Sequence, residues 1–136
     1  VQLRAAGHEI NVFSLDEYTP LVSNGIISND TTIDQQPELV AAVVRAFDHG
    51  LQEAIGDPDA AFEIARGYIP EMDDETALLQ RAVLDESIMI WRSERPGRTD
   101  PQDWADSVTL LRSLGLLAAE VDPETLYTNA FVPEAE

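Results

Sequence analysis

Cysteine is absent from all 136 residues, which removes disulfide frameworks, thiolate nucleophiles and cysteine-based zinc or iron–sulfur sites from consideration. Basic residues are scarce, 8 against 26 acidic ones, giving a formal net charge of −18. Such a charge repels phosphate backbones and anionic lipid headgroups, so neither nucleic acid nor a membrane surface is an expected partner. No apolar run approaches the roughly 20 residues of a membrane span, and this segment is not expected to insert directly into a bilayer. Histidine occurs twice, at His8 beside Glu9 and at His49 on the polar side of a helical pattern. Neither falls in HExxH or another metal-ligand spacing, and both read as surface histidines. No G-x-S-x-G elbow supports Ser-His-Asp catalysis, and there is no phosphate-cradling glycine loop. Neither a metal nor a cofactor is therefore expected.

What is present is ordinary for a globular chain about one domain long: 44% of the residues are hydrophobic, enough to bury a core. The opening residues carry β character. "INVFSL" (10–15) and "NGIISND" (24–30) are short, rich in strand formers and bounded by polar or turn residues, and "QLRAA" (2–6) suggests a weaker third strand. Pro20 and Gly25 suit the connection between them. Val1 has no methionine before it and "VQLRAAG" reads as the middle of a β-element, so a processed product or a fragment is expected.

From Pro37 the period changes. Leu39, Val40, Val43, Val44, Phe47, Leu51, Ala54 and Ile55 recur at three- and four-residue steps, the signature of a long amphipathic helix. Asp57-Pro58, Asp100-Pro101 and Asp122-Pro123 each read as a helix start: the carboxylate accepts from orphan N–H groups, and proline fits the first helical position. A further helix should begin near Asp73 or Asp74 and run to about Ile90, with Leu78, Leu79, Ala82, Val83 and Ile88 inward. "RSERPGRTD" (92–100) is a loop, and Gly115 should end the helix that carries Trp104, Val108, Leu111 and Leu114. The last element can hardly exceed a turn or two before Asn129 and Pro133. Tyr127, Phe131 and Val132 then imply a tail tied down against the fold, because a free tail gains nothing by exposing them.

Few residues stand out as chemistry. Carboxylate pairs are uninformative in so acidic a chain, except that Asp16 and Glu17 follow a predicted strand, where α/β sheets place their ligand-contacting ends. The plain alternative is a solvated turn. Tyr18 adds a phenol able to stack on a flat ligand while its neighbours bond the ligand's polar edge. Trp91, at the end of its helix, reads either as the closure of the core or as a wall of a pocket. Trp104 reads as structural.

Three stretches go beyond generic helices. "PELVAAVVRAFDHGLQEAIGDPDAA" (37–61), "GRTDPQDWADSVTLLRSLGLL" (97–117) and "VDPETLYTNAFVP" (121–133) together resemble the carboxyl-terminal part of solute-binding proteins of the thiamine-precursor-binding family, related to thiamine pyrimidine synthase. The resemblance covers nearly the whole chain, and the closing "YTN.F.P" is its most specific piece. It implies an α/β fold of the two-lobed periplasmic-binding-protein kind, helix-rich, with two or three strands near the start and the amino-terminal half missing. Residues 1–23 would end the second lobe and form the hinge crossing; residues 24–136 would clothe the first lobe. It also implies an extracytoplasmic location, periplasmic or lipid-anchored, and two partners: a small heteroaromatic vitamin or precursor and an ABC permease. At the crossing, Glu17, Tyr18 and Asn24 would face the ligand cleft, with Trp91 as a neighbouring wall. "EYTPLVSNG" looks closer to the riboflavin-type members than to the hydroxymethylpyrimidine type. The family's enzyme branch, which consumes its own histidine and pyridoxal phosphate, carries a cysteine-rich motif. This chain has no cysteine and no lysine to form a Schiff base, which favours binding over catalysis. A ligandless helical interaction module is the remaining alternative.

Overall fold

The structure, a computed structural model, describes residues 1–14, 18, 19, 21, 22, 24–93 and 95–134. Its helices are α1 (Gln2–Ala5), α2 (Asp30–Gln35), α3 (Pro37–Gly56), α4 (Pro58–Gly67), α5 (Asp74–Trp91) and α6 (Pro101–Ser113), followed by a 3-10 turn at Pro123–Thr125. None of these helices is long and apolar enough to cross a membrane.

The helix starts fall where the aspartates place them. Asp57 accepts from Ala60 N–H at 3.0 Å, Asp100 from Gln102 N–H at 2.7 Å and Asp122 from Glu124 N–H at 3.1 Å, each followed by proline in the first turn. Asp73 caps α5 through Thr76 N–H at 2.8 Å, and that bond holds its carboxyl below the ordinary aspartate range. At the other end of α6, Gly115 takes a φ of 70°, which lets Leu116 N–H reach Leu111 C=O at 2.9 Å and Gly115 N–H reach Arg112 C=O at 3.0 Å. Those two bonds satisfy the last carbonyls of the helix, and only a left-handed residue permits them. Asp100→Ala is expected to cost about 1 kcal/mol through the lost cap. Urea unfolding followed by circular dichroism measures it, and an unchanged midpoint would remove the capping assignment.

The predicted strands are a correction. Among the described residues there is no strand. "QLRAA" forms α1 instead, closed by Ala5 N–H to Val1 C=O at 3.0 Å and Ala6 N–H to Gln2 C=O at 3.0 Å; alanine and arginine favour that turn over extended backbone. Residues 10–14 and 24–29 belong to no regular element, and Leu15 lies outside the described residues. Strand formers become a strand only when a neighbour completes the ladder, and these segments have none. From Asp30 the chain is already helical: α2, which the sequence reading missed, is capped by Asn29 through Thr32 N–H at 2.8 Å.

The chain divides into two compact units. The first comprises Val1–Asn11 and Ala46–Pro96. In it α4 and α5 lie side by side around Ala77 and Ile88, which are 5% and 4% exposed. Arg81 on α5 pairs with Asp59 on α4 and with Asp85 at 3.1 Å, and Arg66 on α4 pairs with Asp74 at 2.8 Å. The second comprises Val12–Arg45 and Gly97–Glu134. Its core residue is Val108, 5% exposed, on the α6 face packed by the 3-10 turn and the tail.

Candidate functional site

The expected tail docking is observed, on α6. Asn129 works as a peptide mimic: its Oδ1 accepts from Thr99 N–H at 3.1 Å while its Nδ2 donates to Thr99 C=O at 2.9 Å. Thr99 Oγ1 accepts from Trp104 Nε1 at 2.8 Å, and the Trp104 ring stacks on Tyr127 with centroids 5.5 Å apart and planes 12° from parallel. Phe131, Val132 and Pro133 are half-buried beside this clasp. Trp104 is therefore structural, as its place one turn into the helix suggests.

By holding the start of α6, the clasp also positions the segment that carries the expected ligand residues. Ser107, one turn beyond Trp104, accepts from Val22 N–H through its Oγ at 3.0 Å. Thr19, Leu21 and Val22 are half-buried, so the chain between Tyr18 and Asn24 is anchored at its middle while both named side chains stand in water. Tyr18 is 72% exposed. An exposed phenol and an exposed amide on either side of a pinned stretch can offer a stacking face and a donor–acceptor pair to a flat polar ring. Glu17 lies outside the described residues. Trp91 closes α5 in the other unit, 37% exposed, so its indole is more covered than not.

A groove of about 470 Å³ between α4 and α5 was not foreseen; its lining includes Asp59, Phe62, Arg66, Asp74, Leu78 and Arg81. The signal available in the sequence was the pair of arginines at 66 and 81 in a chain so poor in cations. Both guanidinium groups are occupied by carboxylates, and the bonds from Asp85 and Asp59 raise the Arg81 pKa. The groove thus reads as an inter-helix tie with an apolar floor rather than an anion site, because a ligand would have to displace those carboxylates. At the start of α6, partial burial and the neighbouring Asp100 and Asp106 raise the Asp103 carboxyl. No group of histidines and acids suited to a metal ion occurs among the described residues.

Residues 1–61 match the family described as NMT1/THI5 like. Over 138 aligned residues the chain is 41% identical to the riboflavin-binding protein RibY of Chloroflexus aurantiacus, an alignment covering 98% of this chain and 39% of that protein. It is 26% identical over 138 residues to a formylaminopyrimidine-binding protein of Halalkalibacterium halodurans, covering 93% of this chain and 40% of the relative. The chain thus spans about two fifths of the length of these curated relatives. No solved structure matches it.

Proposed function

With residues 1–61 placed in the NMT1/THI5-like family, we propose that this chain is the carboxyl-terminal portion of the solute-binding protein of an ABC importer for a heteroaromatic vitamin or its precursor, with riboflavin as the first candidate. The observation that carries this reading is the 41% identity, sustained over 98% of the chain, to a protein named for riboflavin binding. The thiamine-pyrimidine reading stands second, supported by the 26% identity to a formylaminopyrimidine-binding protein. Both relatives are named as binders, which supports a protein that holds its ligand and hands it to a permease outside the cytoplasm without transforming it.

In this reading residues 1–23 make the hinge crossing and residues 24–136 clothe the first lobe. Two lobes close on the ligand; flat side chains stack on its rings while a few polar groups set its orientation. Tyr18 supplies a stacking face, Asn24 and Glu17 an amide and an acceptor at the ring edge, and Trp91 a neighbouring wall. The anchored Val22 keeps the first two in place at little entropic cost on binding. A heteroaromatic ligand held this way loses much of its contact if one lobe is removed, so these 136 residues alone are expected to bind riboflavin weakly.

In the full-length protein, Tyr18→Ala is expected to remove about 0.5–1.5 kcal/mol of ring stacking, plus the value of the area buried against the ligand, without changing the melting temperature. Quenching of riboflavin fluorescence, run beside a melting curve and a parallel titration with formylaminopyrimidine, reads all of these. Unchanged affinity with a lowered melting temperature makes Tyr18 a packing residue. Saturable binding of neither compound removes the proposed function.

A further inference from the structure

Helix α3 carries more apolar surface than this chain covers. Val40, Val44, Leu51, Ala54 and Ile55 lie on one arc and are half-buried. Leu39, Val43 and Phe47, spaced four apart, form a straight stripe beside that arc and are 51%, 50% and 59% exposed. Gly50 continues the stripe, and a Cβ placed there would meet nothing within 4 Å. Single exposed hydrophobic residues are common, but an aligned leucine, valine and phenylalanine on one helix face make a continuous apolar strip of the sort that is normally covered.

We infer that this stripe of α3 is a docking face, and that its occupant is the remainder of the longer polypeptide of which this chain is a part. The inference rests on the proposed function for the existence of that remainder, and goes beyond it in naming the surface. Length supports the choice of occupant. The relatives devote about two fifths of their residues to the matched region, so the larger part of each is available to cover such a face. Being tethered to α3, it meets the stripe at a high effective concentration. Charge argues against a second copy of the chain, since each brings a formal −18, and α3 itself presents Glu38, Asp48 and Glu53 around its surface.

The test compares two proteins: these 136 residues alone, and the Chloroflexus aurantiacus riboflavin-binding relative with its aligned stretch replaced by them. Hydroxyl-radical footprinting read by mass spectrometry, against an added peptide standard, measures the oxidation rate of Leu39 and Phe47 in each. Docking is expected to slow Phe47 by at least about five-fold in the chimera, because a packed contact excludes water. Equal rates in the two proteins overturn the inference. So does protection that appears in the 136-residue chain alone and grows with its concentration, which assigns the stripe to a second copy. A chimera that precipitates while the short chain stays soluble also counts against it, since the intended occupant would have covered the stripe. Riboflavin titration of the same chimera keeps the two readings apart: protection without binding sinks the proposed ligand and leaves the docking face, whereas binding without protection does the reverse.

Discussion

Trp104→Ala is expected to destabilise the second unit by about 3 kcal/mol, because it removes a large half-buried ring together with the contacts that hold the tail. The loss has two separable parts. The indole N–H donates to Thr99 Oγ1 at 2.8 Å, and the ring stacks on Tyr127 at 5.5 Å. Trp104→Phe retains an aromatic face for Tyr127 and deletes the donor, so it should cost about 1 kcal/mol, the usual net worth of a neutral hydrogen bond. Asn129→Ala strikes the same clasp from the tail, leaving Thr99 N–H and C=O without their partners. Because Trp104 and Asn129 meet on Thr99, their effects should fall short of additivity by about 0.5 kcal/mol or more in a double-mutant cycle. Urea unfolding followed at 222 nm measures each variant. Additive losses would mean that the two contacts are independent and that no clasp exists.

Ile88→Ala is expected to cost about 2–4 kcal/mol, whereas Leu78→Ala, on the same helix, should stay within about 0.5 kcal/mol of the parent. Sequence pattern alone placed both residues inward. The structure leaves Ile88 4% exposed and Leu78 76% exposed, with Ala77 taking the buried position beside it. Leu78 instead sits at the groove between α4 and α5, where it meets water. Chemical denaturation of the two variants decides the matter, and a Leu78→Ala loss as large as that of Ile88→Ala would restore the sequence-based placement.

Those two residues show where the legibility of this sequence ends. The course of α5 was readable to within a residue or two, because a cap is a local device: Asp73 reaches Thr76 N–H three residues on, as Asp57 reaches Ala60, whatever the rest of the chain does. Which face of α5 is covered depends on α4, whose approach is fixed by Arg81 to Asp59 across 22 residues and by Arg66 to Asp74. Nothing in a three- or four-residue period specifies such a partner. The candidate site divides along the same line. Tyr18 could be singled out from its place after a predicted strand and beside acids, but its anchoring through Val22 N–H to Ser107 Oγ joins positions 85 apart.

By itself, then, the sequence determined the absence of cysteine chemistry, the acidic surface, the starts of α4, α5, α6 and the 3-10 turn, the end of α6 at Gly115, and a tail that must be tied down. All of these follow from composition or from contacts within a few residues. Tertiary structure alone decided that residues 10–14 and 24–29 form no strand among the described residues, since a strand needs a neighbour to complete its ladder. It also decided that the tail closes on Thr99 and Trp104, and that half of the apolar arc of α3 is left open. Burial and long-range pairing are properties of two surfaces meeting, and one stretch of chain encodes only its own.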